Sequence, residues 1–142
     1  MGRRTAFAGR WPASLSHVEA PLEKYALPSG ERLVRVSLEG KKAHTRFQVL
    51  RRYQGATLIE AKPITGRTHQ IRVHCRQAGF PILGDPKYSN PAAESLAASI
   101  GLSRLFLHAA HLSFDLDGVS IRLESDLPPE LSRVLEVLPT GK

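Results

Sequence analysis

The chain of 142 residues is poor in several residue types. It has one cysteine, one tryptophan and one methionine, and only 6% of its residues are Phe, Trp or Tyr. A lone Cys75 excludes a disulfide framework and a cysteine-based zinc site. It also fits a reducing compartment. No run approaches the ~18 consecutive apolar residues that a membrane span needs, so no membrane partner is expected. The opening MGRRTAFAGRW has basic residues but no apolar core, so it does not read as a secretory signal. The cytoplasm is the expected location. Six histidines are present, but their spacing is wrong for a metal. No Glu follows His69, as a His-Glu-x-x-His site would need, and His108 and His111 point to opposite faces of a predicted strand. No metal is expected.

What is present is an ordinary globular composition with an uneven charge. Apolar residues make up 42% and charged residues 23%, which suits one domain over residues 1–142 with a single core. The net charge is +7. Residues 1–76 hold 15 Lys and Arg against 5 Asp and Glu, whereas residues 77–142 hold 5 against 8. Such a split points to a one-sided surface for a polyanion such as nucleic acid. It is also compatible with a basic protein whose charge only keeps it in solution.

Residues 1–30 read as irregular, broken by Pro12, Pro21, Pro28 and Gly30. ERLVRVS (31–37), AHTRFQVLRRY (43–53) and ATLIEAKPI (56–64) read as three strands of an antiparallel meander. In the second, Thr45, Phe47 and Val49 share one face, and His44, Arg46 and Gln48 the other. The period then changes. Ile71, Cys75 and Ala78 form an apolar stripe, and His69, Arg72 and Arg76 a cationic one, which predicts a helix over 68–78. Thr68 is its expected N-cap and Gly79 the residue beyond its end. A helix over 91–101 is followed by strands at 105–116 and 119–125, joined by the turn Asp117-Gly118. A short helix closes the chain at 126–138. The sum is an α+β fold with a mostly antiparallel sheet and a few flanking helices.

The densest chemistry lies in ITGRTHQIRVH (64–74). A turn feeding a helix leaves backbone N–H groups free for an anion. Arg67 and Arg72 each offer a planar fork for carboxylate or phosphate. Gln70 adds a donor and an acceptor. The alternative is a solvated, arginine-rich helix face. Lys87 and Tyr88 can likewise be read as a phosphate contact and a base-stacking ring, or as surface and core edge. Cys75 falls on the apolar stripe and Trp11 reads as packing.

ITGRTHQIRVH followed by GFPILGDPKYS, with LFLHAAHLSF at 105–114, resembles the RluA-type family of pseudouridine synthases. Gly66 to His74 match its GR-x-HQ-[IL]-R-V-H run. Gly79, Pro81, Ile82, Gly84, Asp85 and Tyr88 match its G-x-PI-x-GD-x-x-Y run. SGERLVRVS with the nearby EGK resembles the branch acting on large-subunit ribosomal RNA. The resemblance implies isomerisation of uridine in structured RNA, with neither metal nor cofactor. It implies that an aspartate attacks the flipped-out nucleotide and that Arg72 pairs with that aspartate. Arg67, Thr68, His69, Gln70, Arg76, Lys87 and Tyr88 would then shape the site or contact RNA, and the resemblance implies ribosomal RNA as the partner.

One departure matters. The family's aspartate sits in an HRLD motif upstream of these strands, and this sequence has no HRLD. Its aspartates are Asp85, Asp115, Asp117 and Asp126. The family's K-x-Y-x-A-x-V-x-G segment would place its tyrosine near Arg3, where RRTAFAG does not match. The expectation is therefore a C-terminal portion of the catalytic domain, inactive alone. It would be a gene fragment, the partner of a chain carrying the missing half, or an RNA-binding remnant.

Overall fold

The computed structural model describes residues 2–8, 11–53, 55–116, 119–124 and 127–138, with the backbone alone at 2–8, 109–116, 119–124 and 137. In chain order the elements are β1 (Gly2–Ala8), β2 (His17–Glu19), β3 (Leu22–Ala26), β4 (Arg32–Val36), β5 (His44–Tyr53) and β6 (Ala56–Pro63). They continue with α1 (Gln70–Gln77), α2 (Pro91–Ser99), β7 (Leu107–Leu116), β8 (Val119–Glu124) and α3 (Pro129–Val137).

Six strands form one sheet in the order β2-β5-β6-β1-β7-β8, and every neighbouring pair is antiparallel. β3 and β4 form a separate two-stranded hairpin. The α+β reading with a mostly antiparallel sheet stands. Two parts of it need correction. Residues 1–30 are not irregular: they supply β1, β2 and β3. The expected meander also fails at its first step, because β4 pairs with β3, while β5 pairs with β6. The prolines lie between these strands, where a missing N–H breaks no ladder. The hairpin β7–β8 forms as expected, with Leu116 opposite Val119, though its turn residues 117 and 118 lie outside the described residues.

α1 sits between two apolar clusters, which fixes its position. Ile71 and Cys75 face the main core, with Phe47, Ile59, Ile82, Leu83 and Phe106. Val73, on another face, joins Leu22, Val34, Ala43 and Tyr88 beneath the β3–β4 hairpin. Burying a side chain such as Ile71 contributes about 1.5–3 kcal/mol. Cys75 is fully buried, and burial pushes its thiol well above the ordinary range, so it is core material, not a nucleophile. Trp11, 1% exposed, packs between Phe47 and Phe80 at ring distances of 4.7 and 5.3 Å. The start of α1 thus lies where the large sheet meets the small hairpin.

Candidate functional site

The loop between β6 and α1 is shaped by one side chain. Gln70 is 3% exposed, and all its hydrogen-bonding capacity is used inside the protein. Its Oε1 accepts from Thr65 Oγ1 at 2.6 Å and from the Arg67 N–H at 3.1 Å. Its Nε2 donates to the His44 carbonyl at 2.7 Å and to Thr45 Oγ1 at 3.0 Å. The expected cap at Thr68 is corrected. His69 takes the N-cap position with φ 53° and ψ 21°, and no side chain caps the helix. Once Gln70 has tied down the Arg67 N–H, the backbone enters the helix through His69 in a left-handed conformation. At the other end Gly79 does lie beyond the helix, at φ 94°. Phe80 N–H bonds to the Cys75 carbonyl and Gly79 N–H to the Arg76 carbonyl, a Schellman closure.

Thr45 continues the network inward. His74 Nε2 lies 2.9 Å from the Ala20 carbonyl, which only accepts, so Nε2 carries the proton. Nδ1 must then accept from Thr45 Oγ1 at 2.8 Å. His74 is fully buried, and burial above all holds its pKa below the usual histidine value. This neutral, doubly bonded ring ties α1 to β5 and to the chain just before β3.

Arg72 is the centre of charge. Its Nε donates to Asp85 Oδ2 at 2.9 Å and its Nη2 to Oδ1 at 2.7 Å. The Asp85 side chain has no exposure and that of Arg72 has 13%. Asp85 Oδ1 also accepts the N–H groups of Lys87 and Tyr88 at 2.9 and 3.0 Å. Burial alone would raise the Asp85 pKa. The Arg72 fork, the two N–H groups and the Arg72 charge outweigh it, so the carboxyl stays below its usual range. Tyr88 lies under the guanidinium at 5.0 Å. Its oxygen accepts from the Val34 N–H at 2.9 Å and sits 2.8 Å from His69 Nδ1. Burial, then the charges of Arg72 and Lys87, hold the His69 pKa below normal.

A pocket of about 330 Å³ opens at this point, and Thr65, Arg67, His69, Arg72 and Leu107 are among the residues lining it. Asp85 occupies one edge of the Arg72 fork. Among the described residues no partner takes Nη1 on the other edge. The residues singled out from sequence therefore separate into groups. Arg67, His69 and Arg72 converge on the pocket, and Thr68 borders a neighbouring one. Arg76 is exposed one turn along α1, and Lys87 is exposed near Glu31 at 3.5 Å. Gln70 also lines the pocket, but both it and Tyr88 are buried and bonded within the protein. Asp85 as the partner of Arg72 was not foreseen. The one signal for it was its place as the sole aspartate close to the basic segment.

A family model for RNA pseudouridylate synthase matches residues 14–77. Ribosomal large subunit pseudouridine synthase C of Pasteurella multocida is 46% identical over 132 residues, covering 92% of this chain and 40% of that protein. The protein of the same name from Escherichia coli K12 is 48% identical over 134 residues, covering 92% of this chain and 42% of that one. Along most of its length the chain is similar to the RluA-type family of pseudouridine synthases. It spans about two-fifths of the length of these curated relatives. The solved structure of human RNA pseudouridylate synthase domain containing 4 superposes with a TM-score of 0.72 at 27% identity, covering 95% of this chain and 60% of that one. Human RNA pseudouridylate synthase domain containing 1, at 22% identity and the same TM-score, shares the fold. Among the described residues no helix is long and apolar enough to cross a membrane.

Proposed function

We propose that this chain forms the arginine-bearing, RNA-holding part of a uridine isomerase acting on structured RNA, ribosomal RNA being the substrate class named for its relatives. The observation that carries this is Arg72. Asp85 grips one edge of its fork, and Arg72 lines a pocket edged by Arg67 and His69. A guanidinium fixed on one edge is preorganised to receive a second carboxylate or a phosphate on the other.

In the isomerisation the uracil N1–C1′ bond breaks, a C5–C1′ bond forms, the C5 proton leaves to solvent, and N1 takes up a proton from solvent. Arg72 would hold an attacking aspartate ionised and oriented, Arg67 would hold a phosphate, and the pocket would take the flipped base. The absence of HRLD supports placing that aspartate outside this sequence, and Asp85 is already committed to Arg72. The site would then be completed by a segment carrying HRLD, in the same protein or in a separate chain. The same absence favours a second reading, an RNA-binding module without isomerase activity.

Tritium release from RNA labelled at uridine C5 separates the two. The chain alone should bind RNA and release no tritium, and adding a polypeptide with the HRLD segment of a relative should restore release. Binding without release under both conditions would select the binding module. Release by the chain alone would overturn the need for a second segment.

A further inference from the structure

A second pocket, of about 380 Å³, lies on the other side of Arg67. Gly66 and Arg67 line both pockets, so the two share one wall. This wall is held in place: Arg67 Nε donates to the Lys42 carbonyl at 3.0 Å. The floor is apolar, from Leu22 and Val34, and the volume falls in the ~300–1,000 Å³ range of small-ligand sites.

The opposite wall is the turn between β4 and β5, which is pinned to β3. Leu22 and Lys41 exchange N–H···O bonds at 2.9 Å both ways, and the Ser37 N–H bonds to the Pro21 carbonyl at 3.0 Å. Gly40 permits this approach, since a Cβ there would sit 2.5 Å from the Leu22 backbone. The pocket is therefore preformed and does not depend on a mobile loop.

Its charge is cationic after internal pairing. Lys24, Lys41 and Arg67 line it, together with Glu23 and Glu39. Glu23 is taken by Arg35 at 2.9 Å, leaving three cations against one carboxylate.

Resting on the RNA reading above, we propose that this pocket receives the nucleotide next to the target uridine. Arg67 stands between the two bases and faces the phosphate that links them. Lys24 and Lys41 neutralise the flanking phosphates, and the apolar floor carries the base. Two nucleotides on either side of one arginine would explain a preformed pocket that isomerisation of a single base does not need.

Fluorescence anisotropy of the full 142-residue chain with a fluorescein-labelled, mixed-sequence 12-nucleotide RNA tests this. K24E/K41E should weaken binding at least tenfold. It should also lower the slope of log affinity against log salt by roughly 1.4, the value for two single-strand phosphates. R51E/R133E reverses the same charge on exposed residues outside both pockets and should change affinity less than threefold. In the wild-type chain, 4-thiouridine beside the target uridine should crosslink within residues 22–24 or 39–41. Equal loss in the two double variants, or crosslinks confined elsewhere, would overturn the second pocket while the RNA reading stands. No salt-dependent binding by the wild-type chain would overturn both.

Discussion

Asp85 reaches one edge of Arg72 and two backbone N–H groups with one carboxylate, so its charge does more than its geometry alone. Asp85→Asn keeps an acceptor for Lys87 and Tyr88 but leaves a largely buried guanidinium without its counter-charge. Breaking a buried pair in this way costs about 3–5 kcal/mol. The retained acceptor points to the low end, about 3 kcal/mol, read as a lower midpoint in urea. A loss under 1 kcal/mol would mean that solvent or another carboxylate supports Arg72 instead. Gln70 teaches a related lesson. Its amide in a basic stretch looks like a base reader. Its spacing from Thr65, Arg67 and His44 cannot show that four internal partners consume it.

At the scale of elements, the turn at Gly84 holds the Arg72 partner in place. Gly84 has φ 78°, and a Cβ there would collide with the Arg104 carbonyl oxygen. Gly84→Ala should therefore combine backbone strain with that clash and cost more than about 3 kcal/mol, seen as loss of the cooperative thermal transition. A stable variant would show that the segment 103–105 gives way freely. β5 and α1 were legible because each has a clear period: Thr45 and Phe47 point inward, and Ile71 and Cys75 face the core. β6 and the β7–β8 hairpin were legible from the turn signals beside them. β1 was not legible. GRRTAFA has two arginines, small residues and no β-branched residue except Thr5. Its strand character comes from neighbours on both sides, which local sequence does not carry. β3 was hidden by Pro21 and Pro28, which bracket it without interrupting it.

For the whole molecule, the depressed pKa values of three groups shielded from solvent, His69, His74 and Asp85, bear on the acid limb of stability. His74 and His69 are lowered by burial first, so the unfolded chain binds their protons more readily than the folded one. Their contribution is complete above the unfolded value of about 6.5 and is lost as pH falls through the folded values. The lowered Asp85 pKa adds a second loss that begins below about pH 4, the unfolded value. Thermal midpoints should be flat between about pH 7 and 8, begin to decline as pH falls below about 6.5, and drop again below about 4. His74→Gln should flatten the first decline, and an unchanged slope would remove His74 from this account.

The place of β1 has a consequence for synthesis. Residues 3–8 pair with 56–61 on one side, and residues 2–5 with 107–111 on the other. On a ribosome β1 is made well before either of its neighbours. It gains one when β6 is out, and the other only when β7 has followed. Until then its second edge is an open template for any passing strand, including one from another nascent chain. Translation that is quick between residues 64 and 106 shortens that exposure, and a stall there prolongs it.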